Sequence, residues 1–351
     1  MKNEVFSQRL KNARLMNGMT QDEVVAALGE TLSKNALSRY ERGEMMPRYN
    51  ILLALARVFS VQLEYFFRPF TVEVRNVDYR TKMELPSMER EKLRLEVISL
   101  MERRLETEQL LGLKQRFTNP LQDFPAVTTS ADAEKAAAKL REAWQLGQHG
   151  LVNIYGILEH FGIKVVEISA HEAFDGMSAT INQGIPLIVV NAEMTVERKR
   201  FTVLHETAHL LITFDPTLEQ KKIESLCNIF AGTLLVPAAI LKELIGAPRE
   251  QISLQELIHI KNQFGISIQA LVYRAARLNY ISQATVDRFK YEIQSNIKEE
   301  GLGGYYGKEV ADRFEQLVVR AYHSQRITRS KAAELLGVEE KDLPESIDKH
   351  W

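Results

Sequence analysis

One apolar stretch, residues 201–212, contains two histidines and a glutamate, at positions 205, 209 and 206. It is long enough for about three helical turns and too apolar for an exposed surface helix. Histidines four residues apart lie on one face of a helix, so both imidazoles can reach the same point. Polar groups in a buried helix need partners, and a shared metal ion is one such partner. The stretch therefore predicts a buried helix that carries a functional site.

His205, Glu206 and His209 form an HExxH arrangement, which is typical of zinc peptidases. Neutral imidazoles bind Zn²⁺ well, and a third protein ligand leaves one position for water. Glu206 projects about 100° around the helix axis from His205, so we expect a general base and not a ligand. The alternative, core histidines satisfied by hydrogen bonds, is less favoured because the three polar groups interrupt one apolar helix.

Three carboxylates follow the motif, Asp215, Glu219 and Glu224, and local spacing does not choose the third ligand among them. Asp215 lies where one class of zinc peptidases has an aspartate, but those enzymes have a glycine at the position of Ile212. Glu224 opens a second apolar helix, and a glutamate in a buried helix needs a partner. We favour the set His-His-Glu with Glu224, and Asp215 is the weaker competitor.

Cys227 and Asn228 follow Glu224 by three and four residues and therefore lie near the same helix face. We expect Asn228 to orient a ligand and Cys227 to be a small buried side chain. A single cysteine excludes internal disulfides and metal sites with several thiolates. The residue that would stabilise an oxyanion stays open. An ordinary surface or core role is the interpretation for His160, His171 and His259.

Apolar periodicity predicts helices over most of the chain and strands at residues 163–168, 177–182 and 186–191. The last two flank Gln183 and Gly184 like a hairpin. The chain is therefore expected to be mainly α with a small β-sheet, an α+β fold.

The amino-terminal residues 1–68 carry ten Lys and Arg against seven Asp and Glu, although the whole chain has a formal net charge of −1. This basic excess is a modest indication of nucleic-acid binding. Thr20 and Glu23 have the spacing of a capping box, and Ser33 can begin the next helix. Four short helices are expected in this region.

These helices resemble the Xre (Cro/CI-type) helix-turn-helix, with Gly43 and Pro47 after the recognition helix. Gln21 lies at a helix amino end suited to phosphate or base contact, whereas Leu37 faces the core. The alternative is a helical domain used only for protein contacts. The residues expected to contact double-stranded DNA are Gln21, Lys34, Asn35, Ser38 and Arg39.

Residues 197–201 and 224–237 resemble segments of the ImmA/IrrE family of metallopeptidases, in which Ala stands where this chain has Cys227. The resemblance extends upstream through residues 131–191 and covers roughly half of the chain. It implies a zincin-like domain whose substrate is often a helix-turn-helix repressor, and strand 186–191 would offer an edge to an extended peptide. It also implies Zn²⁺ ligands His205, His209 and Glu224, and the base Glu206.

The sequence indicates two further helical segments. Residues 86–117 have a narrow apolar stripe, which indicates either a helix packed on its own chain or a dimerising coiled coil. Residues 327–338 repeat a helix-start pattern, which we interpret as a tail module of the peptidase half. The expected domains are a helix-turn-helix domain at 1–70, a linker with a long amphipathic helix at 71–128, a metallopeptidase domain at 129–282 and a helical carboxy-terminal module at 283–351.

The leading hypothesis is a homodimeric transcription regulator with a zinc metalloendopeptidase domain that cleaves a repressor, another partner or its own linker. The alternative is a non-proteolytic regulator or antitoxin whose peptidase-like domain senses a ligand or holds a partner such as a toxin. Neither a long apolar run nor a basic segment followed by an apolar core is visible, so a cytoplasmic location without a membrane partner is expected.

Overall fold

The computed structural model describes residues 2–29, 31–81, 85–114, 116–182, 184–246, 248–293, 296 and 298–348. The chain divides into two compact units. The first comprises Met1–Val74, Glu84–Gln115 and Asp312–Trp351, and the second comprises Arg75–Met83 and Arg116–Ala311. The described residues form a mainly helical structure with one small sheet, which confirms the predicted fold class.

The first unit contains seven α-helices among its described residues. They are α1 (Lys2–Met16), α2 (Gln21–Ala27), α3 (Lys34–Glu41), α4 (Tyr49–Val58), α5 (Ser87–Leu110), α14 (Arg313–His323) and α15 (Arg329–Leu336). Helices α1 to α4 surround a core that includes Phe6, Leu37 and Leu55. The predicted capping box is present, because Thr20 and Glu23 exchange side-chain and backbone hydrogen bonds at the start of α2.

Helix α5 packs on α1, α14 and α15 of its own chain. Arg9 on α1 and Glu102 on α5 form an ion pair of 2.8 Å in which each side chain is 1% exposed. Among the apolar residues of α5 that the structure describes, only Met88 is strongly exposed. The interpretation of α5 as a helix packed on its own chain is confirmed. Its apolar stripe is covered by the helices of the same unit, so this stripe is not exposed for a dimerising coiled coil.

The carboxy-terminal helices lie in the first unit. Arg103 on α5 donates a hydrogen bond of 2.9 Å to the carbonyl oxygen of Leu335 on α15. Lys331 on α15 also pairs with Glu106 on α5, at 2.7 Å. Our interpretation of residues 327–338 as a tail of the peptidase half is therefore wrong, because this helix covers α5 instead.

The second unit combines helices with the sheet. Its helices are α6 (Ser130–Ala143), α7 (Ile154–His160), α8 (Val196–Leu211), α9 (Gln220–Leu235), α10 (Ala238–Ile245), α11 (Leu254–Phe264), α12 (Ile268–Arg277) and α13 (Gln283–Ile293). Its strands are β1 (Val74–Thr81, which begins on the last residue of the first unit's segment), β2 (Lys164–Ile168), β3 (Phe174–Ile181) and β4 (Ile185–Asn191).

The sheet has the strand order β1-β3-β4-β2. Strands β3 and β4 form the predicted hairpin, antiparallel with Ile181 opposite Ile185, and β2 pairs with β4 in parallel. Strand β4 is therefore internal. The prediction that residues 186–191 offer a free edge is wrong, because β2 and β3 cover both sides of this strand. The outer edge of β3 is covered by β1, a strand that the sequence did not predict.

Helix α8 packs on β3, β4 and α9. Val203, Ala208 and Phe230 have no exposed surface and belong to the core between these elements. No single helix in the described part of the chain is long and apolar enough to cross a membrane. Helices α9 and α10, which are bent relative to each other, are together long and apolar enough to do so by length and composition alone. Their residues Leu226 and Leu241 are buried in this core.

Candidate metal centre and DNA-binding helix

Helix α8 brings the HExxH side chains into the interior of the second unit. Thr195 begins the helix by accepting a hydrogen bond from the amide of Arg198. Ten residues of α8 are buried, and His205 and Glu206 are each 1% exposed. The predicted buried helix is confirmed, and its polar residues lie where water does not satisfy them.

His205, His209 and Glu224 converge on one point between α8 and α9. The Nε2 atoms of His205 and His209 are 3.2 Å apart. One oxygen of Glu224 lies 3.1 Å from Nε2 of His205, and the other lies 3.3 Å from Nε2 of His209. All three groups therefore present donor atoms to the same small volume.

The spacing of these atoms fits a tetrahedral zinc site. Zinc bonds to nitrogen and carboxylate oxygen measure about 2.0–2.2 Å, so neighbouring ligand atoms of a tetrahedron are separated by roughly 3.3–3.5 Å. The three observed separations of 3.1 to 3.3 Å lie within a few tenths of an ångström of that edge. Two imidazoles and one carboxylate are also a donor set that zinc accepts, and such a set leaves a fourth position open.

Asn228 lies one helical turn after Glu224 and contacts the same group of side chains. Its Oδ1 atom accepts a hydrogen bond of 2.9 Å from Nδ1 of His205. A proton on Nδ1 leaves the lone pair of Nε2 directed toward Glu224 and His209. The structure therefore places Asn228 where we expected a residue that orients a ligand.

The competing carboxylates occupy other surroundings. Asp215 accepts hydrogen bonds from the amide and the hydroxyl of Thr217, at 2.8 and 2.6 Å. Glu219 is exposed at the start of α9 and makes no side-chain cap there. Of the three candidates, the structure brings Glu224 to the histidines.

Cys227 is closer to the centre than we expected. It is fully buried, and its sulfur lies within 4.8 Å of ligand atoms of both His205 and His209. Burial raises the pKa of its thiol, although the contact with His209 opposes this shift. Metal binding deprotonates a coordinating thiol, so Cys227 is a second candidate for the third ligand beside Glu224.

Burial and hydrogen bonding act differently on the two histidines. Burial lowers the pKa of His205 to about 4. Burial also disfavours a charge on His209, but its contacts with Cys227 and Glu224 outweigh this effect and raise its pKa to about 11. Contacts with His205 and His209 hold the pKa of Glu224 below its usual range despite burial.

Strand β3 lies directly against the motif at Gly176. A Cβ atom there would lie 2.7 Å from Cγ2 of Thr202 and 3.7 Å from Cγ of Glu206. It would also approach the carbonyl oxygen of Val189 to 3.0 Å. Glycine therefore allows β3 to pass close to Glu206.

Arg80 is a residue of the site that the sequence did not indicate. It lies on β1, and its Nη2 atom donates a hydrogen bond of 3.4 Å to Oδ1 of Asn228. Its guanidinium carbon lies 5.6 Å from the ring centroid of Phe201. Nothing local marks this arginine, because its place depends on strand pairing across about 100 residues of sequence.

The predicted recognition helix is α3. Leu37 and Tyr40 are buried, as expected for Leu37. Arg39 is 52% exposed and lies 3.5 Å from Glu44, a surface pair of small energetic weight. The exposed or half-buried side chains of α3 include four predicted DNA contacts, Lys34, Asn35, Ser38 and Arg39.

Gln21 differs from these four, because its side chain contacts its own domain. Its amide nitrogen donates a hydrogen bond of 2.9 Å to Glu41. Glu41 also forms a pair of 2.6 Å with Arg14, so this glutamate has a structural role within the domain. The amide of Gln21 has further hydrogen-bonding capacity for a DNA contact.

Two segments of the chain match known families. Residues 10–66 match the family HTH_3, described as helix-turn-helix. Residues 158–276 match the family Peptidase_M78, described as the IrrE N-terminal-like domain. The second match includes the two histidines, Glu206 and Glu224.

A curated relative is the radiation response metalloprotease IrrE of Deinococcus deserti, 34% identical over 71 residues, which is 17% of this chain and 25% of that protein. The chain thus spans about a quarter of the length of this relative. The apo form of ComR from S. thermophilus aligns over 95% of this chain and 99% of that one at 14% identity, with a TM-score of 0.17, which does not establish a shared fold. The chain therefore joins a helix-turn-helix domain, at residues 10–66, to a domain that matches the IrrE N-terminal-like family Peptidase_M78, at residues 158–276.

Proposed function

We propose that the second unit is a zinc-dependent endopeptidase that hydrolyses a peptide bond in a partner protein, such as a repressor or a toxin, or in the chain's own linker. The first unit would bind an operator in double-stranded DNA, in the cytoplasm. Together they would couple the removal of a protein to the control of transcription.

The observation that carries this proposal is the convergence of His205, His209 and Glu224 within 3.3 Å of one another. These side chains would hold Zn²⁺, which supplies Lewis-acid chemistry and lowers the pKa of a bound water. Glu206 is on the same helix and almost fully buried. From there it would accept a proton from the attacking water and later donate it to the leaving amine.

Asn228 would complete this arrangement by fixing the ring of His205. The hydrogen bond to Nδ1 holds the imidazole in the tautomer whose Nε2 atom can bind a metal. The apolar core around α8 restricts access of bulk water to Glu206, which strengthens its electrostatic interactions.

The proposed DNA contacts are the side chains of α3 together with Gln21. A helix with a buried face at Leu37 and an exposed basic face fits the major groove of DNA. One such domain contacts few base pairs, so we propose a homodimer on two half-sites. Because α5 is packed within its own chain, this dimer would use a different surface.

The test combines metal content with cleavage. We expect one zinc per chain in both the wild type and Glu206→Gln, and cleavage of candidate repressors, or of the chain itself, by the wild type only. Glu219→Gln is the matched control, because Glu219 is an exposed carboxylate outside the converging group. Absence of stoichiometric zinc would refute the proposal. Zinc without Glu206-dependent cleavage would favour a regulator that senses a ligand or holds a partner without cutting it.

A further inference from the structure

The outer edge of β3 is the place where an extended peptide would reach the candidate centre. Strand β3 is the one that passes Glu206, since Gly176 lies against Thr202 and Glu206 on α8. Its inner edge is paired with β4. A peptide that added to the sheet beside Glu206 would therefore hydrogen-bond to the outer edge of β3.

That outer edge is already occupied by β1 (Val74–Thr81). This strand belongs to the connection between the helix-turn-helix and the rest of the second unit, and it pairs with β3 from a distant part of the sequence. The backbone groups that a substrate strand would use are therefore bonded to a segment of the same chain.

The side chain of Arg80 extends from β1 into the candidate centre. Burial lowers the pKa of its guanidinium, against the attraction of Glu206, Asp175 and Glu224. We call these three carboxylates the acidic pocket. A guanidinium close to several carboxylates is well suited to this environment, because it stays charged and donates several hydrogen bonds.

Arg80 is nevertheless incompletely bonded. Its hydrogen bond to Asn228 is long, at 3.4 Å. Its Nη1 atom is buried and has no hydrogen-bond partner among the described residues, and the same holds for Oδ1 of Asp175. Buried polar atoms without partners reduce the stability of an arrangement. These contacts therefore hold β1 on β3 less firmly than fully bonded contacts would, so a peptide in excess can replace the strand.

We propose that β1 is an internal substrate mimic: it occupies the peptide-binding edge of β3 with Arg80 in the acidic pocket, and the substrates are extended segments with an arginine at the matching position. This inference rests on the proposed peptidase function and names its substrate class. In the intact chain β1 and the substrate exclude one another, so the site opens only when β1 leaves β3.

The first test measures binding of a fluorescent peptide with the sequence of residues 71–86 to the full zinc-loaded chain. All chains carry Glu206→Gln so that no peptide is cut. Arg80→Ala should increase the affinity for the peptide about tenfold or more, because it frees the edge for a larger fraction of the time. Arg75→Ala is the matched control, since it removes an exposed arginine of the same strand. A peptide with alanine in place of Arg80 should bind weakly to every chain.

The second test needs no change at Arg80. Hydrogen exchange of the zinc-loaded Glu206→Gln chain should become faster in β1 when excess peptide is added, while β3 stays protected. Equal peptide affinity in the Arg80→Ala and Arg75→Ala chains, or unchanged exchange in β1, would overturn the proposal.

Cleavage assays separate this inference from the proposed function. If the peptide binds as described but the chain that retains Glu206 never cuts it, the proposed peptidase function is refuted, whereas the proposal that β1 mimics a substrate is supported. If cutting proceeds equally with Arg80→Ala and Arg75→Ala, the peptidase stands and the mimic fails. A strong loss of cutting in Arg80→Ala alone would make Arg80 a catalytic residue and would also overturn the proposal.

Discussion

Arg200, five residues before His205 on α8, forms an ion pair with Glu309 in which neither side chain has exposed surface. Glu309 also accepts hydrogen bonds from the amides of Ile154 and Tyr155 at the start of α7, at 3.0 and 3.3 Å. One carboxylate thus holds two helices together. This contact fixes α8 five residues before His205.

We expect Glu309→Ala to lower the free energy of unfolding of the second unit by about 3–5 kcal/mol, because it leaves the charge of Arg200 buried without its partner. Urea unfolding followed by hydrogen exchange in α7 and α8 measures this loss. Glu300→Ala, an exposed glutamate of the same segment, should change stability by less than about 0.5 kcal/mol. A loss below about 1 kcal/mol in Glu309→Ala would mean that the pair does not hold the helices.

The third metal ligand is tested by comparing Glu224→Ala with Cys227→Ala. Glu224 contacts both imidazoles directly, so its removal should reduce zinc affinity by 100-fold or more, about 3 kcal/mol. Cys227→Ala should keep stoichiometric zinc, because a small buried side chain replaces another. Competition with a chromogenic chelator gives both affinities. The opposite ranking would assign the third position to the thiol.

Asn228→Ala should weaken zinc binding by about 10–100-fold, the usual effect of removing a group that orients a metal-binding histidine. The loss follows from the hydrogen bond to Nδ1 of His205. The control is Ser225→Ala, an exposed position on the same helix. Equal zinc affinities of Asn228→Ala and Ser225→Ala would show that Asn228 does not support the metal centre.

Local signals in the sequence predicted the parts of the site that lie within one element. The spacing of His205 and His209 and the capping pattern of Thr20 and Glu23 depend on helix geometry alone, and both are present. The hairpin of β3 and β4 is also local, with three residues between its paired ends Ile181 and Ile185. Such features need no knowledge of the rest of the fold.

The predictions that were wrong or missing concern features that depend on contacts between residues far apart in the sequence. Strand β4 lost its predicted free edge because β2 and β3 pair with it from both sides. Strand β1 escaped detection because its sequence mixes charged and apolar residues and includes Asn76 in a left-handed conformation, at φ 50. No local sequence pattern therefore indicated that Arg80 lies at the site. Likewise, α15 packs on α5 although more than 200 residues separate Arg103 from Leu335.

Gly176→Ala should destabilise the second unit by about 1–3 kcal/mol, as expected for overpacking. The added methyl would lie 2.7 Å from Cγ2 of Thr202, which must move, and 3.0 Å from a backbone oxygen of β4. Thr202→Ser removes the closer atom, so the double variant should recover part of the loss. A double-mutant cycle of unfolding free energies measures the coupling, and strictly additive effects would show that the two residues do not meet.

Arg39→Ala should weaken operator binding by about 10–100-fold at fixed salt, as for the loss of a base contact. Arg39 is exposed on α3, and its pair with Glu44 at 3.5 Å is too weak to prevent a contact with DNA. Arg57→Ala removes an exposed arginine from α4 and is the control. Fluorescence anisotropy on an operator selected from random DNA, and on an unrelated duplex, separates the two kinds of contact. A base contact predicts loss on the operator alone, whereas a phosphate contact predicts equal loss on both duplexes and a smaller salt dependence. If Arg39→Ala and Arg57→Ala bind the operator equally, α3 is not the recognition helix at this position.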